Sequence, residues 1–183
     1  MRRRILITAV TTVLLALGGT TAQATAPVNV RPPGDLRTGS HDGWVPVPVP
    51  PVDRAAGVVC DFAVHGDPVV ADLWMRILRK NPDGTTRSEA WTGPLVYRFT
   101  NQSTGTQVEA DASGDGIRVF HADGSYTWFI HGGLVIAIPA GGGNRPRGLY
   151  AVDGTFTVTV TADHYQTLRL QHGTVRSLCP LLA

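Results

Sequence analysis

Six histidines and two glutamates, Glu89 and Glu109, are the side chains best suited to bind metal or move protons in this sequence. No two histidines stand at ligand spacing such as His-x-His or His-x-x-x-His. Zinc needs three or four ligands converging at about 2.0–2.3 Å, so no metal site is expected. Asp111-Ala112-Ser113-Gly114-Asp115-Gly116 follows the opening of a calcium loop, with oxygen acceptors on alternate residues and then glycine. The loop's closing position, where a bidentate glutamate belongs, is Ala122. An Asx-rich turn between strands accounts for the run better.

Nucleophilic catalysis has little to work with. There is no Gly-x-Ser-x-Gly elbow. Asp163-His164 and a distant serine can be drawn as a triad, but geometry makes a triad and sequence order does not. Glu109 shares a strand face with Gln107 and Asp111, which reads as solvated surface and not as one of two opposed carboxylates. No cofactor is implied: the glycine-rich run 141–148 lacks the Gly-Lys-Ser/Thr ending of a phosphate loop. Its two arginines, Arg145 and Arg147, lie on a crossing between strands and are candidates for gripping an anionic ligand.

The elements that must position these residues follow an export signal. Arg2, Arg3 and Arg4 precede an apolar run, residues 5–17, too short to span a bilayer. Ala22-Gln23-Ala24 fits the small-x-small cleavage rule, so residues 1–24 are expected to be removed and the mature chain to carry no membrane span. The whole chain has 16 basic and 14 acidic residues; losing three arginines leaves the acids in slight excess. The basicity is therefore a targeting feature and does not argue for nucleic acid as a partner. Cys60 and Cys179, the only cysteines, are expected to form a disulfide in an oxidising, extracellular compartment.

Residues 25–57 read as an extended Pro-rich tail outside the folded core, since alternating prolines from Pro46 to Pro50 remove backbone donors. Residues 58–183 read as one antiparallel β domain of about 8–10 short strands, a barrel or a sandwich. Helical and strand spacing compete over 67–80, with strand favoured because Asn81-Pro82-Asp83-Gly84 then closes a hairpin. Phe156, Val158 and Val160 alternate with Thr155, Thr157 and Thr159. Residues 134–138 are apolar on both faces, as in a strand covered on both sides.

Taken as a two-residue turn, Asp123-Gly124 sets His121 opposite Tyr126, Val119 opposite Trp128 and Ile117 opposite Ile130 on a core face. Arg118, Phe120, Thr127 and Phe129 then face solvent, and His121 and His131 fall on opposite faces. His121 and Tyr126, side by side at the rim of the core, become candidate ligand contacts.

The turn sequences 100–105, Ser113-Gly114-Asp115-Gly116 and Asp123-Gly124-Ser125, with the closing Cys179, resemble an uncharacterised group of small secreted actinobacterial β-rich proteins. The resemblance spans most of 58–183. It implies a β-rich extracellular domain and supplies no catalytic residue. The reading is a secreted, non-enzymatic binding or surface-interaction module for a small apolar or anionic ligand or a cell-surface component. The alternatives are a small hydrolase or cyclase-like isomerase with a pocket at the barrel mouth, and a structural cell-wall or matrix protein.

Overall fold

The computed structural model describes residues 43–183. They form eleven strands and one short C-terminal helix, α1 (Cys179–Leu182). The strands are β1 (Val45–Val47), β2 (Val52–Arg54), β3 (Val64–Ala71), β4 (Leu73–Lys80), β5 (Thr86–Gly93), β6 (Leu95–Asn101), β7 (Gln107–Asp111), β8 (Gly114–Phe120), β9 (Tyr126–Ile138), β10 (Gly148–Val160) and β11 (Gln166–Ser177). They make two antiparallel sheets, β1-β4-β5-β8-β9-β10-β11 and β2-β3-β6-β7, neither closed into a barrel. No described helix is long and apolar enough to cross a membrane.

The Pro-rich segment is part of this fold from Trp44 onward, which corrects the detached tail for its described part. β1 pairs with β4, and β2 with β3. Both are edge strands, and in β1 the missing donor of Pro46 can face away from the ladder. Trp44 is buried, with the Arg76 guanidinium 5.1 Å from its ring centre. The expected signal peptide and residues 25–42 lie outside the described residues.

The segment 67–80 is strand, as its hairpin turn suggested, but it changes sheet at Asp72. The chain crosses between sheets again at Pro94 and at Ala112-Ser113, and these corners are bonded together. Asp72 N–H donates to Pro94 O at 3.0 Å, and Leu95 N–H donates to the Ser113 hydroxyl at 2.9 Å. Asp111 Oδ1 accepts Ser113 N–H, and Asp115 accepts the Thr92 hydroxyl. The calcium-like run is thus a sheet corner whose acceptors are bonded to neighbouring protein groups.

A row of glycines crosses the large sheet. Gly93, Gly114, Gly132, Gly154 and Gly173 are register partners on β5, β8, β9, β10 and β11. The closest approach is between β10 and β11. A Cβ on Gly154 would lie 2.2 Å from His172 O, and one on Gly173 only 2.0 Å from Asp153 O. Both residues also have positive φ, 132° and 122°, which other residues rarely adopt.

The sheet folds over at this row. Ile136, Ile138, Tyr150 and Val152 from one side pack in one core with Phe156, Val158, Val160 and Leu168 from the other. The β9–β10 loop consequently reaches the start of β11, where Gln166 N–H donates to Gly142 O and Asn144 N–H to Gln166 O, both at 2.9 Å. On the opposite face of the same strands, Val135, Ala137, Leu149 and Ala151 pack against Val64, Phe99 and Ala110 of the smaller sheet. Residues 134–138 are therefore covered on both sides, as their composition implied.

The second core also holds the disulfide. Cys60 and Cys179 are bridged with Cα atoms 5.5 Å apart, and Val59, Leu178 and Leu182 pack around them. Asn101 Nδ2 donates to Leu182 O at 2.9 Å and anchors α1. The bridge spans 119 residues of sequence. Closing so long a loop stabilises the fold by about 4–5 kcal/mol in the chain-entropy model.

Candidate functional site

The β8–β9 hairpin turns on three residues, Ala122-Asp123-Gly124, not two. His121 N–H donates to Ser125 O at 2.9 Å, and Gly124 takes φ +82°. Asp123 Oδ1 accepts both Ser125 N–H at 2.9 Å and the Ser125 hydroxyl at 2.6 Å. This is a type I turn closed by a glycine bulge. The register becomes Phe120↔Tyr126, Arg118↔Trp128 and Gly116↔Ile130. One extra loop residue sends every β8 side chain to the other face. Trp128 and Ile130 face the core as expected, but Ile117 and Val119 turn outward and Arg118 turns inward.

Arg118 lies among four aromatic rings. Its guanidinium carbon is 4.8 Å from the centre of Phe120, 4.9 Å from Trp128, 5.3 Å from Trp91 and 5.7 Å from Tyr126. All four lie within the range of cation–π attraction. Trp91 and Trp128 meet edge to face at 5.6 Å. Glu89, only 5 % exposed, holds the cation from the neighbouring strand. Its Oε1 accepts Arg118 Nε–H at 2.6 Å and Trp91 Nε1–H at 2.7 Å, and it also pairs with Arg118 Nη2. A carboxylate so committed positions the guanidinium and is poorly placed to act as a nucleophile or base.

The inward row that carries Arg118 runs Ile77, Glu89, Arg118, Trp128, Val158, Leu168 across β4 to β11. Its β10–β11 end is buried under the folded sheet; its β4 end is not, and Ile77 is 41 % exposed. Trp91, Phe120, Tyr126 and Trp128 are all half-buried. The cluster thus forms the open end of the concave face.

Beside it the strands fork. β5 and β8 are paired as far as Ser88↔Val119. Beyond that point an open cavity of about 710 Å³ lies between the two hairpin ends, lined by Asn81, Asp83, Thr85, Arg87, Phe120 and His121 among others. The β4–β5 hairpin is built like its neighbour: Asn81 N–H donates to Thr85 O, Gly84 has φ +86°, and Asp83 Oδ1 accepts Thr85 N–H and its hydroxyl. The β10–β11 hairpin repeats the design with His164 at φ 68° in the glycine place. Hydroxyl and amide bonds to Asp83, Asp123 and Asp163, chiefly from Thr85, Ser125 and Thr161, hold these three carboxyls below the usual range.

No family model, curated protein or solved structure matches this chain. The site therefore stands on its own geometry.

The four ligand candidates named from sequence are not brought together. Tyr126 points inward, 6.2 Å from Phe120 and against Arg118. His121 lines the fork, its Nε2 3.0 Å from the Thr127 hydroxyl on the outer face. Arg147 binds Gly57 O at 2.8 Å and the Asp61 carboxylate, tying the β9–β10 loop to the segment around Cys60. Arg145 has its Nε buried without a hydrogen-bond partner. His131, expected opposite His121, shares the outer face, its Nδ1 3.0 Å from the Thr155 hydroxyl. No group of three or more metal-ligating side chains occurs among the described residues.

Sequence reasoning missed Glu89, Trp91, Arg118 and Trp128 as a site. The signal was there in the pairs Glu89-x-Trp91, Arg118-x-Phe120 and Tyr126-x-Trp128, since residues two apart on a strand share a face.

Proposed function

We propose that this chain is an exported, non-enzymatic binding domain that engages a hydroxyl-rich ligand, such as a surface glycan, on the open concave face around Arg118. The observation that carries the reading is the Arg118 guanidinium, fixed by a buried carboxylate among four half-exposed rings. Holding a guanidinium away from water is costly unless it is paired, and this one is paired and pre-oriented. Half-exposed rings offer flat apolar area at low entropic cost. The adjoining fork supplies hydroxyl, amide and charged groups of both signs, which suits a polar ligand without strong net charge. Its volume falls in the ordinary range of ligand sites, roughly 300–1,000 Å³. Export is supported by the N-terminal signal pattern and by the disulfide. A two-sheet sandwich with its binding face on one sheet is the architecture this reading uses.

The test is tryptophan emission during titration with a panel of neutral and acidic oligosaccharides. Saturable change that is lost in Trp128→Phe, and weakened at least about tenfold by Phe120→Ala without loss of thermal stability, supports the reading. Emission that no oligosaccharide alters in the millimolar range contradicts it.

A further inference from the structure

A second cavity lies on the other side of β9 and β10, between the two sheets. It measures about 130 Å³. Val52 and Phe99 of the smaller sheet and Val135 and Leu149 of the larger one form its walls, with Arg54 and Tyr97 among its lining. Local sequence explains the space. Gly66 lets the Phe99 ring lie directly on β3, where a Cβ would be 2.6 Å from the ring. Ala137, on the facing strand, has little bulk to fill the gap. Tyr97 stacks on Phe99 at 5.5 Å, and its hydroxyl is 3.4 Å from Pro50 O.

The lining divides by chemistry. The walls are aliphatic and aromatic, and the one cation among them is Arg54. Arg54 Nη1 donates to the Asp53 carbonyl at 2.8 Å, and no carboxylate pairs with it among the described residues. It is exposed, whereas the Val64 and Leu149 side chains lining the interior are buried. An apolar cavity of about 150 Å³ accepts a benzene-sized molecule. A guanidinium pairs with a carboxylate through two parallel, planar donors, which a neutral hydroxyl cannot match.

We propose that this cleft binds a small monocarboxylate with an apolar body of benzene size, the body between the sheets and the carboxylate on Arg54. The site is separate from the face around Arg118. It draws on the opposite side chains of β9 and β10, Val135 and Leu149 in place of Ile136 and Tyr150. Its failure would leave the glycan reading untouched, and the reverse also holds.

Titration of the whole domain with benzoate, and in parallel with benzyl alcohol, tests it through the methyl NMR signals of Val135 and Leu149. Benzoate is expected to shift these methyls saturably and to bind at least about tenfold more tightly than the alcohol. Arg54→Gln should abolish that preference while leaving the melting temperature unchanged. Ala137→Val, which narrows the cavity, should weaken both compounds. Absence of saturable shifts in the millimolar range overturns the proposal. So does equal binding of acid and alcohol, or a preference for benzoate that survives Arg54→Gln. Shifts confined to the Val158 and Leu168 methyls, on the other face of the sheet, would place the ligand there and overturn it as well.

Discussion

On one side of the glycine row, β9 and β10 are buried on both faces; on the other, one face is exposed and half of the second stays open. The same strands therefore do two jobs. In the first half, Val135, Ile136, Ala137 and Ile138 are all apolar and belong to two cores. In the second half, the outward residues of β8 to β10 include Ile117 (40 % exposed) and Phe129 (51 % exposed) beside threonines, and the inward ones lead from Val158 to Trp128 and Arg118. Burial on both faces leaves no room for polar chemistry, because an unpaired polar group there would be costly. The half-open side tolerates a charge, provided that it is paired. The contrast teaches where to look for a site in such a fold: at the place where a packed strand leaves its cover.

The crease between the two halves should be the most sensitive point. Gly173→Ala would drive a Cβ into Asp153 O at a backbone conformation unsuited to alanine. We expect a loss of at least about 4 kcal/mol, or no folded protein, by denaturant unfolding. A loss below about 1 kcal/mol would mean that the sheet does not fold over there.

Arg118→Ala sharpens the comparison next. It strands the Glu89 carboxylate, which is 5 % exposed, against apolar neighbours. Because Arg118 itself is a quarter exposed, the expected cost is about 1–3 kcal/mol, below that of a fully buried pair. Adding Glu89→Gln should restore part of that loss, a sign of direct coupling in a double-mutant cycle. By contrast, Phe129→Ala on the outer face should change stability by no more than about 0.5 kcal/mol.

The smallest effect concerns pH and the far sheet. The His65 imidazolium donates from Nδ1 to the Asp53 carboxylate at 2.7 Å and from Nε2 to Asp67 at 3.1 Å, and these hydrogen bonds raise its pKa above 6.5. A raised pKa means that the folded state favours the proton. The contribution is fully present below the ordinary histidine range and is lost as pH rises through the folded value. An NMR titration should show His65 above 6.5, with Asp53→Asn moving it down. The three hairpin aspartates carry the opposite sign: their support is present above about 3.8 and fades as pH falls through the lowered folded values.

Much of this fold could be read from alternation and turns. The threonine row of β10, the doubly covered 134–138 segment and the Cys60–Cys179 bridge were all expected, from residue spacing and an even cysteine count. The site was missed, for one local reason. Asp-Gly closes both two-residue and three-residue hairpins, and the choice depends on whether Ser125 can bond back to Asp123. Counting one residue too few placed Arg118 in solvent, and the aromatic cluster disappeared from view. The strands of the Pro-rich segment were missed because its prolines argue against a central strand and say nothing against an edge. Arg145 and Arg147 drew attention as loop cations, but Arg147 is bonded to the chain near the disulfide.

The central claim is that Arg118 points inward, held by Glu89, on a face that receives ligand. The ¹H–¹⁵N signal of Arg118 Nε reports on all three parts at once. The account predicts a slowly exchanging Nε–H, displaced by the surrounding rings, that moves when a binding oligosaccharide is added. A freely exchanging signal at the ordinary arginine position, unchanged by an oligosaccharide that alters tryptophan emission, would contradict it.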